Sequence, residues 1–446
     1  MIIRYKKNTL KNEKEVNTNS KETSSKLLNT LLDLGFFMYL SAYLGNKQGT
    51  GTIDAIILRA SFAFYVSVFL FKWLINSKEN SYKKNDSESK NYFYFGIFFW
   101  FAIFTAYGFL SYFWALNGER VFYNINSFVS ILTLCIILPY SIKNRTDLNK
   151  YLQIFVFSNI YSIFQLLIKV PIKDWQDEGR LGLAIGWHPN DFGIHLACAC
   201  LVSLYLATIS YSKKKYLNYL LFFTFVVVML FSGSRQATLM FVLGLFIYAV
   251  FSAKNNLKRI EYIVAVFMII LFFYWLFLSN DTLYTLIGSR FEGLYNFFIG
   301  EKSKADGSAY ERVFYLEQAK QLFYQKPIQG FGMANFAQYM TDIGYSHNVW
   351  CHNNYLELLS GLGIIGCGIF YGFLTYLTIK LIKPSIVKDK LAILLLSLIV
   401  MYYFDDMVAV NYYYIYNHVI YIFAYCYLKC CVSPKCSINS MKEVLK

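Results

Sequence analysis

The chain of 446 residues is 57% hydrophobic and only 15% charged, and it contains six prolines. Apolar runs of about twenty residues recur from end to end, which excludes a soluble globular protein because such a protein cannot bury that much apolar surface. The net charge of +15 comes from lysine-rich segments that flank these runs, which favours membrane topology and anionic lipid over nucleic acid as a partner.

Continuous rather than alternating apolar runs predict transmembrane helices, so the expected fold class is an all-α polytopic membrane protein with about twelve spans. In chain order the predicted spans cover residues 28–44, 53–75, 92–114, 122–140, 151–169, 191–210, 216–232, 237–251, 260–279, 355–377, 391–409 and 413–429. Residues 27–432 are predicted to form one membrane domain, and residues 1–26 and 433–446 two polar cytoplasmic tails.

The basic residues are distributed unevenly between the two sides of this topology. With both termini placed in the cytoplasm, 29 of the 42 lysines and arginines fall in cytoplasmic segments and 12 in outer ones. Because lysine and arginine accumulate on the cytoplasmic side of membrane proteins, this orientation is the expected one.

Residues 280–354 form one long outer connection, and long connections in compact proteins are usually functional. Within it, residues 309–325 are predicted to form an amphipathic helix, because apolar side chains recur at helical spacing from Val313 to Phe323 and Pro327 ends the pattern. We expect this helix to lie across the outer membrane surface.

The outer side is enriched in groups that bind phosphate or transfer protons. Five of the nine arginines fall there: Arg120, Arg180, Arg235, Arg290 and Arg312. All five histidines fall on the outer side or in the outer part of a helix: His188, His195, His347, His352 and His418. Arginine suits bidentate phosphate recognition, and histidine suits a general base near neutral pH. We therefore expect a lipid-borne phosphate whose charge is met by arginine, with no metal site.

Several ionisable residues are predicted inside helices, where they are costly unless they pair or function. They are Arg59, Asp191, Glu357, Asp405 and Asp406. For Arg59, Asp405 and Asp406 the functional interpretation and simple pairing with a neighbour both remain open. The histidines His195 and His418 are interpreted as structural.

The strongest motif is His352-Asn353, then nine residues, then Gly363-Ile364-Ile365-Gly366. It resembles the signature of the bacterial O-antigen ligase and polymerase family. Upstream, Arg312 followed by the run from Pro327 to Gly332 is similar to that family's Arg and Pro-x-x-Gly-x-Gly pattern. In a continuous helix His352 would lie at the outer end of the helix. The glycines, about 13 Å farther along, would let helices pack closely.

The resemblance implies a GT-C-like membrane glycosyltransferase on the outer face of the bacterial cytoplasmic (inner) membrane. Such an enzyme transfers glycan from undecaprenyl pyrophosphate to a sugar hydroxyl with inversion and without a metal or other cofactor. His352 would be the catalytic base. We hypothesise that Arg180, Arg235, Arg290 and Arg312 bind the pyrophosphate, and for Arg290 a surface salt bridge is the alternative. His347, Asn353 and Glu357 are predicted auxiliary residues, and for His347 a structural role also remains open.

Three functions fit this sequence. The favoured one is an O-antigen or capsule polymerase, which joins repeat units, and the second is a ligase that attaches glycan to lipid A core. A lipid-linked sugar flippase or small-anion transporter is the third, although its binding groups would be expected near the bilayer midplane. The expected partners are the lipid-linked donor, a glycan or lipid acceptor and the bilayer, with a chain-length regulator as a further candidate.

Overall fold

The structure, a computed structural model, describes residues 25–45, 52–82, 96–175, 180–300, 307–345 and 349–432. Within these ranges the chain is helical and contains no strand. Ten of the described helices are long and apolar enough to cross a membrane. The predicted all-α polytopic membrane fold is therefore confirmed.

The helices are numbered here in chain order. They are α1 (Ser25–Gly45), α2 (Thr52–Tyr82), α3 (Gly96–Leu110), α4 (Gly118–Val121), α5 (Ile125–Ser141), α6 (Arg145–Lys169), α7 (Pro189–Ile209), α8 (Lys213–Phe231), α9 (Arg235–Ser252), α10 (Asn256–Ser279), α11 (Asp281–Leu283), α12 (Ser289–Phe298), α13 (Gly307–Gln325), α14 (Phe336–Asp342), α15 (Asn354–Ile386), α16 (Lys390–Asp405) and α17 (Ile415–Cys430). The last two predicted spans correspond to α16 and α17, which have 16 residues each.

Internal contacts divide the chain into two compact units, residues 1–91 with 154–165 and residues 92–153 with 166–446. In the first unit, α1 and α2 pack through aromatic rings. The ring centroids of Phe36 and Tyr65 are 5.9 Å apart, and those of Tyr39 and Phe62 are 5.0 Å apart. The predicted catalytic, pyrophosphate-binding and auxiliary residues that the structure describes all belong to the second unit, whereas Arg59 belongs to the first.

Helix α7 lies at the centre of the second unit. It is buried along most of its length and packs against α8 and α9. In contrast, α10 buries only Val266, Phe273 and Phe277, and its other apolar side chains point outward. Such an apolar outer surface is what lipid requires of a peripheral transmembrane helix.

Helix α15 is broken at Gly363, where φ is 63° and ψ is −166°. Asn354 Nδ2 donates a hydrogen bond of 2.8 Å to the hydroxyl of Tyr371, 17 residues later. In a straight helix these residues would be about 26 Å apart. The short segment that begins at Asn354 therefore folds back along the remainder of α15. The span predicted near residues 355–377 is present within α15. The continuous helix expected between His352 and the glycines is wrong, because α15 changes direction at Gly363 in a conformation that is accessible essentially only to glycine.

The segment from Pro327 to Gly332 completes the break in α15. Four backbone hydrogen bonds join them: Phe331 N to Ser360 O at 2.9 Å, Gly332 N to Gly361 O at 2.7 Å, Ile364 N to Pro327 O at 2.8 Å, and Ile365 N to Ile328 O at 3.4 Å. These bonds satisfy groups that the break removes from the helical ladder. The two glycine motifs thus form one structural unit, and the interpretation of the α15 glycines as helix packing alone is wrong for Gly363.

Helix α13 confirms the helix predicted for residues 309–325 and ends before Pro327. Its buried side chains include Ala319 and Leu322, and it packs against α15. Val313, predicted to lie on the apolar face, is 51% exposed. Docking on α15 places the first half of α13 beside the residues that precede α15.

Candidate active site

His352 lies immediately before α15 in a left-handed conformation, with φ of 53°, and its side chain is half-buried. The next residue, Asn353, is the N-cap of α15. Its Oδ1 accepts a hydrogen bond of 2.9 Å from Leu356 N, and its Nδ2 donates one of 3.0 Å to Met407 O. Asn353 therefore fixes the turn that carries His352. Its auxiliary role in the reaction stays a prediction.

Helix α13 presents two side chains to His352. The imidazole ring stacks on Tyr315 with centroids 6.1 Å apart and an interplanar angle of 28°. Arg312, one helical turn before Tyr315, lies within electrostatic range of the imidazole. Residues three apart share one side of a helix, so α13 brings a cation and an aromatic ring to the same group.

Burial lowers the pKa of His352 to about 4, and the positive charges of Arg312 and His188 act in the same direction. The carboxylate of Asp191 opposes this effect. His352 is therefore a neutral imidazole at neutral pH, which is the protonation state that a general base requires.

Arg180 belongs to the segment that contributes His188 and Asp191. Its Nη2 donates a hydrogen bond of 2.9 Å to Asn190 Oδ1. The neighbouring backbone N–H of Leu181 donates to Phe231 O at 3.3 Å, which joins this segment to the end of α8. The turn after α8 leads directly to Arg235.

Arg235 is the first residue of α9, and the side chain of Ser234 caps the helix by accepting a hydrogen bond of 3.1 Å from Ala237 N. Arg235 Nη1 donates to the backbone carbonyl of Arg290 on α12. The structure therefore brings Arg235 and Arg290 together, whereas Arg312 is the predicted arginine whose charge acts on His352.

The remaining predicted residues differ in position. Glu357 is buried one turn into α15, and its Oε2 accepts a hydrogen bond of 3.4 Å from Cys351 N. His347 lies outside the described residues. His195 is buried between Trp187 and Tyr416, with ring centroids 4.3 and 4.0 Å away, which agrees with a structural role. Among the described residues, no cluster of three or more His, Cys, Asp or Glu side chains could hold a metal ion.

Two residues near His352 were not assigned a role from the sequence. Tyr315 is three residues after Arg312 in the predicted helix, and this spacing was the available signal. The sequence placed His188 on the outer side without a specific role. The structure shows that it is the N-cap of α7, which begins with the turn that contains Asp191.

Comparison with known families identifies part of the chain. Residues 220–371 match the family model described as O-antigen ligase. This segment is an O-antigen ligase domain. It contains Arg235, Arg290, Arg312, His352 and both glycine motifs, whereas Arg180 precedes it. The family assignment made from the His352 motif is therefore confirmed. No curated protein matches the chain.

Proposed function

We propose that the protein is a surface polysaccharide polymerase of the O-antigen or capsule type. It transfers glycan from undecaprenyl pyrophosphate to a sugar hydroxyl of an acceptor repeat unit on the outer face of the bacterial cytoplasmic membrane, with both termini in the cytoplasm. The observation that carries the proposal is a neutral His352 stacked on Tyr315 and under the charge of Arg312, within an O-antigen ligase domain.

The proposed reaction is an inverting displacement at the anomeric carbon of the donor. A ring nitrogen of His352 accepts the proton of the acceptor hydroxyl, and the hydroxyl oxygen attacks the face opposite the pyrophosphate. The bond between the anomeric carbon and the pyrophosphate oxygen breaks, and its electron pair stays on the pyrophosphate. The new glycosidic bond therefore has the opposite anomeric configuration.

The leaving pyrophosphate requires compensation of its negative charge. The charge of Arg312 acts on His352, Arg180 lies in the segment that carries His188 and Asp191, and Arg235 contacts the backbone carbonyl of Arg290. We assign the binding of the pyrophosphate to these four guanidinium groups. Fixed cations in a water-poor site stabilise a developing anion strongly. This arrangement supports metal-independent chemistry in which arginine takes the place of a divalent cation.

The family description favours a second candidate, a ligase that transfers finished glycan to lipid A core. Polysaccharide profiles of cells that lack the protein separate the two. We expect single repeat units on the acceptor, because the loss of a polymerase does not prevent the attachment of unpolymerised repeat units. Long chains that remain on the lipid carrier and are not attached to the acceptor would instead identify the protein as the ligase.

The break in α15 also bears on the transporter alternative, because transporters coordinate substrates and ions at interrupted helices. In this protein the backbone groups at the break are occupied by the Pro327–Gly332 segment. The break therefore supports a structural role. Labelling of an Asp405→Cys variant from both sides of the membrane would favour transport instead.

The pH dependence of transfer tests the role of His352. We expect kcat/KM to fall as the pH drops through about 4, because protonation of the free protein's His352 removes the base. Bound pyrophosphate opposes the charge of Arg312, so the acid limb of kcat should lie at higher pH than that of kcat/KM. Arg312→Gln should move the limb of kcat/KM to higher pH, because it removes a cation that lowers the pKa of His352.

Lys320→Gln is the matched control for this measurement. Lys320 lies on the same helix, and its side chain is 49% exposed and pairs with Glu317 at 3.6 Å. Its loss should leave the acid limb in place. If the acid limb of the kcat/KM profile lies at the same pH in the Arg312→Gln and Lys320→Gln proteins, Arg312 does not control the pKa of His352 electrostatically.

A further inference from the structure

Four residues beside His352 form a closed cycle of hydrogen bonds, which we call the Asn354 ring. Its bonds are Asn354 Nδ2 to Tyr371 OH at 2.8 Å, Tyr371 OH to Asp406 Oδ2 at 2.8 Å, Asn411 Nδ2 to Asp406 Oδ1 at 2.9 Å, and Asn411 N to Asn354 Oδ1 at 2.9 Å. Asn354, Asp406 and Asn411 are buried, and Tyr371 is half-buried. The mechanism proposed above uses none of these residues.

Backbone hydrogen bonds reinforce the Asn354 ring. Asn354 N donates to Asp406 O at 2.7 Å, and Tyr412 N donates to Asn354 Oδ1 at 3.0 Å. The same amide of Asn411 also donates to Asp405 Oδ2 at 2.8 Å. Buried carboxylates are costly unless hydrogen-bonded, so this network accounts for both aspartates. Their pairing with neighbours, which was one of the two open interpretations, is observed.

The Asn354 ring provides a connection between the two parts of α15 that the backbone hydrogen bonds of the helix do not provide. Because α15 breaks at Gly363, the helical ladder does not connect the short segment beginning at Asn354 to the remainder of the helix. One end of the segment is held by the Pro327–Gly332 segment, and the ring holds the other end. His352 is two residues before Asn354. Its position against Tyr315 of α13 therefore depends on both attachments.

We propose that Asn354, Tyr371 and Asn411 are positioning residues that hold His352 at the reacting hydroxyl. This inference rests on the proposed role of His352 as the base. Asn411 and Asp406 lie beyond the segment matched to the O-antigen ligase family, so the family match does not account for the ring.

The test uses the full-length protein, a lipid-linked glycan donor and a glycan acceptor. Tyr371→Phe removes one hydroxyl and opens the ring, and Asn354→Leu removes all side-chain bonds of the ring's central residue. We expect kcat to fall on the order of 10²-fold with KM nearly unchanged, because a displacement of about 1 Å costs that much in an oriented reaction. The acid limb of the pH profile should also move upward as His352 becomes less buried.

Tyr205→Phe is the control, because it removes a comparable hydrogen bond of 2.8 Å to Asn149, near the end of α7 opposite to His188 and Asp191. It should keep the kcat and pH profile of the unmodified protein. If Tyr371→Phe and Asn354→Leu also keep both, the inference is overturned. It is equally overturned if their only effect is less inserted protein with an unchanged kcat per molecule.

The same variants distinguish failure of the positioning role from failure of membrane insertion and from failure of the proposed function. If Asn354→Leu does not insert, Tyr371→Phe decides, since it deletes a single oxygen from a half-buried side chain. If His352→Ala retains its rate, the proposed function itself fails, whatever the ring variants do. An inactive His352→Ala protein together with an unaffected Tyr371→Phe protein rejects the positioning role alone.

Discussion

Replacing His352 with alanine is expected to lower the rate of glycan transfer by about 10²- to 10⁴-fold, the usual contribution of a general base. The protein should still insert in the membrane, because the ring of His352 is only half-buried and its ring contact is with Tyr315 of α13. Gel profiles of polysaccharide length and quantified protein in the membrane measure the two effects together.

His347→Ala provides a comparison, because it removes a histidine five residues earlier that lacks the correctly spaced glycine motif. This variant should retain long chains. Normal chains from the His352→Ala protein would show that His352 is not the base and would raise the standing of the transporter alternative. Loss of chains in both variants, with both proteins inserted, would extend the required site to His347.

Gly363→Ala should disrupt the protein more deeply than the loss of a catalytic side chain. A Cβ at Gly363 would lie 2.1 Å from the backbone oxygen of Ile328, and φ of 63° with ψ of −166° is essentially restricted to glycine. Backbone strain of this kind costs about 1–3 kcal/mol before the steric clash is added. We expect a lower unfolding temperature in detergent and loss of glycan transfer, because Pro327–Gly332 can no longer dock on α15.

Gly368→Ala is the matched control in the same helix. Apart from the adjacent residues and the backbone of its own helix turn, no atom lies within 4 Å of a Cβ added there. Alanine also favours helix relative to glycine, so stability should be unchanged or slightly higher. Equal unfolding temperatures and activities for the two variants would contradict the structural role assigned to the break.

The site was predicted from sequence only in part. The His352 motif, Arg312 and the helix that carries Arg312 were identified because each has a local signal in spacing or periodicity. Tyr315 and the Asn354 ring were not identified, because their importance depends on partners that are distant in sequence. Asn354 and Asn411, for example, are 57 residues apart, and no periodicity in either segment indicates their hydrogen bond.

The sequence by itself determined the all-α membrane fold, the positions of the apolar helices and the family to which residues 220–371 belong. These features depend on local hydrophobicity and on short motifs, which can be read without knowing any long-range contact. Only the tertiary structure decided that α15 folds back at Gly363, that the two glycine motifs pair, and that α13 brings Arg312 and Tyr315 to His352. The reason is physical: glycine permits a break in many conformations, and the backbone partners supplied by Pro327–Gly332 select the one that forms.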